Sequence, residues 1–361
     1  MEWVAARWSR AGHRMNHKPE RSDRLVDFLV NRGKELSPLL IVTHNFPDPD
    51  AMASAFALMH LARELAGIRS RIVYGGFIGR AENQTMASVL RIPLGPAMDR
   101  DFAGHKHIAL VDAQPSFTNH CLPKGREVTL VIDHHRETRK VRAAAAFVQE
   151  SYGATATILA ESLLASGLSI PARIATALVY AIGSETQNLA GGAASRDIQA
   201  YVALFPHCDY RRLGEIQHPV RHPSFFFILS KALRQTFTFG EVMGVHLGNI
   251  PAPDVPAQIA DLLLTHEGVK WVICTGRFGN HLFISLRTRN PRPHADQVLL
   301  QLVKNKGSAG GHGRIAGGSI TMEEGLPDHK WAEEETDLTV RFLRRIGCRE
   351  TITFHYPFAK A

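Results

Sequence analysis

The 361-residue sequence predicts an α/β chain: an N-terminal doubly wound, mostly parallel sheet followed by a smaller C-terminal α/β domain. Three observations carry that expectation. Short apolar strands alternate with helical stretches through the first half, the alternation breaks across residues 205–225, and strand-like runs with a helix resume after the break. Such alternation gives parallel strands covered by helices on both faces.

"PLLIVTH", "RIVYGG", "HIALVDA" and "EVTLVIDHH" read as buried strands, being short, aliphatic or β-branched and closed by polar residues. After the first, "DAMASAFALMHLARELAG" sets Met52, Phe56 and Met59 on one helical stripe, with Gly67 as its stop. "GATATILAESLLASG" and "IPARIATALVYAIG" predict two more helices, the second with Pro171 near its start. The irregular "FPHCDYRRLGEIQHPVRHPSFF" marks a boundary. The expected organisation is therefore a basic, disordered leader over residues 1–20, a larger domain over 21–210, a linker over 211–230 and a smaller domain over 231–361. In the last, "EVMGVHLGN" and "KWVICTGRFGNHLFISLRT" read as strands and "HADQVLLQLVKN" as a helix.

Composition narrows the class. With 45% hydrophobic and 21% charged residues the chain can bury a substantial core. No apolar run approaches the roughly 18–20 residues that span a bilayer, and the first residues lack the apolar core of a secretory signal. A cytoplasmic protein without membrane partners is the expectation. Cys121, Cys208, Cys274 and Cys348 are far apart, so neither a disulfide framework nor a zinc knuckle is suggested. The net charge of +8 is unevenly placed: from Lys270 to Arg314 eight Lys or Arg face one acid, Asp296. Most such windows are solvated faces; a phosphate-binding surface is the sharper reading.

The chemistry gathers at strand ends. The first strand leads into His44, Asp48 and Asp50, "HIALVDA" ends in Asp112, and "EVTLVIDHH" ends in Asp133, His134 and His135. In a doubly wound sheet these carboxyl ends open onto one crevice. Each element has a plainer reading; Asp50, for example, can simply cap the helix from Ala51. Together, carboxylates and imidazoles converging from three strand ends require cations to offset their repulsion. Mixed ligands of this kind suit Mn²⁺, Fe²⁺ or Zn²⁺, and a carboxylate such as Asp112 can bridge two ions.

His44, Asp48 and Asp50, then Asp112, then the Asp133-His134-His135 triplet resemble, in order, the first three motifs of the DHH phosphoesterase superfamily. "SAGGHGRIAGG" at residues 308–318 resembles the glycine-rich motif of the associated DHHA1 domain, and "ISLRTRN" precedes it where that domain has an arginine-bearing strand. By length and layout the chain is similar to the nanoRNase (oligoribonuclease)/pAp-phosphatase branch. The resemblance implies a DHH catalytic domain, a DHHA1-type substrate domain and two divalent ions, most readily Mn²⁺. His44 and Asp48 would hold one ion, Asp50 and His134 the other, with Asp112 between them. Glu185 stands where the family has an aspartate before threonine, and is implied as a further ligand. His135 would face the substrate phosphate and Asp133 orient an imidazole. Arg287, Gly310, Gly311 and His312 would bind substrate; independently of the resemblance, "GGFIGRAENQTM" follows a strand of the same sheet and could add Arg80 and Asn83 to the substrate cleft, an ordinary exposed loop being the equal alternative. A single strand could stack on an aromatic such as Phe278 or Phe283, for which a place in the core is the plainer reading. The implied activity is hydrolysis of short single-stranded RNA or DNA, or of pAp, by activated water. A cyclic-dinucleotide phosphodiesterase, or a non-catalytic nucleotide-binding protein if Glu185 disables the site, are the alternatives. A homodimer is left open.

Overall fold

The structure is a computed structural model; it describes residues 21–137 and 139–359 and divides between Pro219 and Val220 into two compact units. The leader expected over residues 1–20 lies outside the described residues. So does the side chain of His312, although its backbone is placed.

The first unit holds a six-stranded sheet of β1 (Leu39–Val42), β2 (Ser70–Tyr74), β3 (Leu94–Pro96), β4 (His107–Val111), β5 (Leu130–Asp133) and β6 (Ala145–Val148). Every pairing is parallel, in the order β3-β2-β1-β4-β5-β6. The chain runs outward from β1 in one direction and then from β4 in the other, so their C-terminal ends define the switch point at which such sheets open a crevice. Strand residues alternate between two cores. Leu39, Ile41, Ala109, Val111, Leu130 and Ile132 face one, while Leu40, Val42, Ile108, Leu110 and Val131 face the other.

The two faces are covered unequally. The first core takes α1 (Arg21–Leu36), α2 (Pro49–Ala66), α5 (Thr155–Ser166), α6 (Ala172–Glu185), α7 (Ser195–Leu204) and α8 (Tyr210–Gln217). The second is closed by Phe102 of the short α4 (Asp99–Gly104) and by residues such as Ala113, Leu122 and Val128 from the long β4–β5 connection. A further helix, α3 (Ala81–Val89), follows β2. α2 explains itself from its sequence. Asp48 caps it by accepting the Ala51 amide at 3.0 Å, Pro49 starts it, and Gly67 ends it at φ 63°. Between these signals Leu58 and Leu61 are fully buried, each contributing about 1.5–3 kcal/mol of transfer free energy.

The stretch 211–230, expected as a linker, is largely helical. α8 buries Leu213 and Ile216 in the first unit's core, and α9 (Pro223–Gln235) begins four residues past the division. The second unit is a mixed sheet of β7 (Phe237–Phe239), β8 (Val242–Asn249), β9 (Trp271–Phe278), β10 (His281–Thr288), β11 (Gly307–His312) and β12 (Ile315–Thr321). Its order is β11-β12-β10-β9-β8-β7, with only β8 and β9 parallel. α11 (Ala295–Leu302) and α12 (Asp328–Arg345) pack on one face, α9 and α10 (Val255–Leu263) on the other. "KWVICTGRFGNHLFISLRT" is thus a hairpin of β9 and β10. No helix among the described residues is long and apolar enough to cross a membrane.

Candidate metal centre

The crevice at the switch point is built by turns that each aim one polar side chain inward. β1 ends at Val42; the Thr43 amide then bonds Val73 O at 3.2 Å, the Asn45 amide Asn119 O at 2.5 Å and the Phe46 amide Gly75 O at 2.9 Å. These bonds fix the loop that carries His44. β4 ends at Val111, and Asp112 follows it with a φ of 56°, which reverses the chain and turns the carboxylate into the crevice while its amide stays bonded to Ile132 O. β5 runs directly into Asp133, His134 and His135.

Asp112 is the centre. Its Oδ2 lies 3.4 Å from His44 Nε2, and its Oδ1 lies 3.8 Å from His134 Nε2 and 3.7 Å from His135 Nδ1. His44 Nε2 is in turn 3.6 Å from Asp48 Oδ1, and His134 Nε2 is 3.8 Å from Asp50 Oδ2. One carboxylate therefore faces two ligand groups, His44–Asp48 and His134–His135, within each of which donor atoms lie within 4.8 Å of one another.

These residues fit divalent cations. His134 Nε2 is buried without a hydrogen-bond partner in the protein, and its distances to Asp50 and Asp112 exceed a hydrogen bond yet lie within the span of two bonds of about 2.1 Å to one shared ion. His134 Nδ1 faces Tyr152 O at 3.2 Å and His44 Nδ1 faces Asn45 O at 2.9 Å, which directs both Nε2 atoms to the crevice.

Electrostatics agree. Burial, then the charges of Asp112, Glu185 and Asp48, holds Asp50 well above the usual carboxylate range. Burial, with Asp48 and Asp112, pushes Glu185 up to about 8. Asp112 and Asp48 go the other way: burial alone would raise them, but the imidazoles outweigh it and hold both low. Burial would likewise lower His44 and His135, yet the carboxylates around them win, leaving His44 well above its ordinary value and His135 at about 9. Without cations, the groups raised in this way offset the crowded charge by retaining protons.

Several partners escaped the sequence. Thr155 Oγ1 donates to Asp112 Oδ1 at 2.7 Å, and the Thr155 and Ala156 amides at the start of α5 donate to Asp50. Gln114 Nε2 bridges Asp133 Oδ2 at 2.8 Å and His135 O at 2.9 Å. Asp133 Oδ1 accepts from the His134 amide and pairs with His135 Nδ1 at 2.8 Å. A hydroxyl or amide has no sequence spacing that ties it to an acid tens of residues away; only "GAT" opening a helix hinted at Thr155. The cap on α2 is Asp48, which frees Asp50 to point toward α5.

The remaining expected residues belong to other elements. Arg80 precedes α3 as its cap position and Asn83 is buried in its first turn, both just beyond the C-terminal end of β2. In the second unit Gly310 and Gly311 sit in β11. Gly311 has φ 142°, and a Cβ there would meet Ile315 O at 2.2 Å. Arg287 is 4% exposed; its Nε meets Asp261 at 2.5 Å and its Nη1 donates to Leu286 O and Ala316 O. Phe278 is exposed and stands 6.4 Å from Phe283, ring centre to ring centre. Of the basic window, Lys270, Arg277, Arg287 and Lys306 pair with Glu241, Glu335, Asp261 and Glu334, all outside the window.

A doubly wound domain with His–Asp clusters meeting at its switch point defines an α/β protein with a candidate metal site. Residues 38–182 match the DHH family, N-terminal domain. Over 289 residues the sequence is 34% identical to the uncharacterized protein MJ1633 of Methanocaldococcus jannaschii, covering 79% of this chain and 58% of that protein. The chain thus spans just over half the length of that relative. In fold it is similar to an exopolyphosphatase-related protein of Bacteroides fragilis, with a TM-score of 0.70 at 14% identity over 90% of this chain and 98% of the other. It is also similar to the Mn²⁺ complex of RecJ from Thermus thermophilus, with a TM-score of 0.52 at 15% identity over 89% and 55% of the two chains.

Proposed function

We propose that this chain is a metal-dependent phosphoesterase that hydrolyses short nucleotide substrates, short oligoribonucleotides or pAp. In this reading His44, Asp48, Asp50, Asp112, His134 and Glu185 hold two divalent ions, with Mn²⁺ favoured. The observation that carries it is Asp112, with Oδ2 toward His44 and Oδ1 toward His134 and His135. A carboxylate with one oxygen toward each of two ligand groups suits a pair of cations better than one. The RecJ of similar fold was crystallised with Mn²⁺, which supports the choice of ion.

Divalent cations held there supply Lewis acidity that activates water and neutralises phosphate charge. The chain's own residues do the rest. His135 is bound through Nδ1 to Asp133, which leaves Nε2 for substrate. Raised to about 9, it is protonated at neutral pH and can give its proton to the leaving oxygen as the bond to phosphorus breaks. Gln114 holds Asp133 from behind. Substrate binding is assigned to Arg80 and Asn83 in the first unit and to Gly310, Gly311 and His312 in the second, a DHHA1-type domain in this reading. Arg287 ranks lowest, because Asp261 and two carbonyls already engage its guanidinium.

The test is product analysis with metal-stripped protein and added Mn²⁺. Its panel is pAp, a 5′-phosphorylated dinucleotide, a long oligonucleotide, a cyclic dinucleotide and pyrophosphate. Cleavage of the short linear substrates, lost in His134→Ala with folding intact, is expected. Cleavage of only the cyclic compound or pyrophosphate moves the substrate, and activity that survives in His134→Ala removes the metal assignment.

A further inference from the structure

We propose that Phe46 and Phe77 form an aromatic corner that stacks the base of the nucleotide whose phosphate lies at the metal centre. The inference rests on the phosphoesterase reading and deepens it by naming the residues that would hold the nucleotide's base. Phe46 sits between two of the candidate ligands, His44 and Asp48, yet its ring is 50% exposed. Its φ is 57°, a conformation a bulky L-residue seldom adopts without surrounding support.

The support is specific. The Phe46 amide bonds Gly75 O, and the ring lies over Gly76, where a Cβ would come within 2.5 Å of Phe46 Cε1. Gly75 is equally constrained, since a Cβ there would fall 2.0 Å from Asn45 Oδ1. The two glycines thus let the β1 and β2 loops approach closely enough to hold the ring outward. Phe77 follows at once, its ring centre 5.1 Å from that of Phe46 and inclined at 78°. Edge-to-face rings leave a corner in which a planar group stacks on one ring and meets the other with its edge. Unfavourable backbone conformations held by their surroundings gather at functional sites, and this one lies two residues from each flanking ligand. Stacking on a π-face tolerates any base, so the corner selects for a base without reading its identity. It also requires no hydrogen-bonding group, which is why no polar motif in the sequence announced it.

The experiment compares a 5′-phosphorylated dinucleotide with its abasic counterpart, under Mn²⁺, in wild type, Phe46→Ala, Phe77→Ala and Phe46→Trp. The preference for the base-bearing substrate, as a ratio of kcat/KM values, is expected to fall about tenfold or more in each alanine variant. The change should lie mainly in KM, with recovery in Phe46→Trp. An unchanged ratio in both alanine variants, with both substrates slowed alike, would mean that the rings only shape the loop and would overturn the proposal. If wild type hydrolyses neither compound, the phosphoesterase reading fails by itself. The corner is then judged by equilibrium binding of AMP against ribose 5-phosphate. A tenfold loss for AMP alone in Phe46→Ala upholds it, and equal affinities in variant and wild type overturn it.

Discussion

Both carboxylate oxygens of Asp50 accept hydrogen bonds from the first turn of α5, Oδ2 from the Thr155 amide and Oδ1 from the Ala156 amide, each 2.7 Å long. A helix N-terminus favours negative charge. Burial and the charges of Asp112, Glu185 and Asp48 nevertheless prevail and raise the carboxyl well above its ordinary value. The contact is therefore a structural tie, and the cations proposed for this crevice would make it favourable as a charge as well.

Two substitutions separate these roles. Asp50→Asn removes the charge, but its Nδ2 cannot accept the second α5 amide, so without metal at pH 7 it should melt below wild type by less than Asp50→Ala does, and it should lose most of the thermal stabilisation that Mn²⁺ gives. Asp50→Ala leaves two buried amides without partners, at about 1–3 kcal/mol each, and should lower the melting temperature by several degrees. Thermal melts with and without Mn²⁺ decide. Equal Mn²⁺ stabilisation of Asp50→Asn and wild type would exclude Asp50 from the metal centre.

Proton release should accompany metal binding. Glu185 is held at about 8 and His135 at about 9, both above their unfolded values. The metal-free folded state therefore binds more protons than the unfolded chain from about pH 4.5 to 9, and its stability falls as pH rises through that window. Asp48 and Asp112, shifted down, titrate below it. A cation that replaces the Glu185 proton releases about one proton at pH 7 and binds more tightly at pH 8. Calorimetry in two buffers of different ionisation enthalpy measures this; a buffer-independent heat would contradict it.

The second unit supplies a prediction independent of the metals. Glu335 of α12 is 2% exposed and meets Arg277 Nη2 at 2.6 Å, while Thr275 Oγ1 donates to its other oxygen at 3.1 Å. Removing one partner of a buried pair costs about 3–5 kcal/mol, because the remaining charge stays desolvated. Glu335→Ala should therefore lower the melting temperature markedly, and Arg277→Met with Glu335→Leu should recover much of the loss. A single variant that melts within a degree of wild type would show that water already solvates Arg277.

How much of this was legible in the sequence varied with the range of the signal. The strands from Leu39, Ser70, His107 and Leu130 and the helices from Pro49, Thr155 and Ala172 were marked by apolar runs and nearby caps. α8 and α9 were not, because prolines and histidines around them read as a break, whereas tertiary burial of Leu213, Ile216 and Ala232 makes them helical. β11 and β12, rich in glycine, have little strand propensity and form by pairing with β10. His44, Asp48, Asp50, Asp112 and the Asp133–His135 triplet were readable because each ends a strand or starts a helix at one crevice. Gln114, Thr155 and the outward Phe46 were not, because their roles rest on approaches between loops that no local spacing encodes.

The last prediction concerns Asp133 and His135, paired at 2.8 Å with Asp133 fully buried. Burial acts to lower His135, but the hydrogen bond to Asp133 and the charges of Asp112 and Asp133 raise it to about 9. If the proton on His135 assists the leaving oxygen, Asp133 sets how much of the enzyme carries it. Asp133→Asn keeps the shape and a hydrogen bond but removes the buried charge, so the His135 titration should move down toward the ordinary value of about 6.5. NMR of the imidazole in metal-free protein reads that shift directly. Turnover at pH 8 should then fall about 10- to 100-fold, with the deficit smaller at pH 6, where the imidazole regains its proton. A loss of equal size at both pH values, with the titration moved as expected, would mean that His135 works by position and not by its proton.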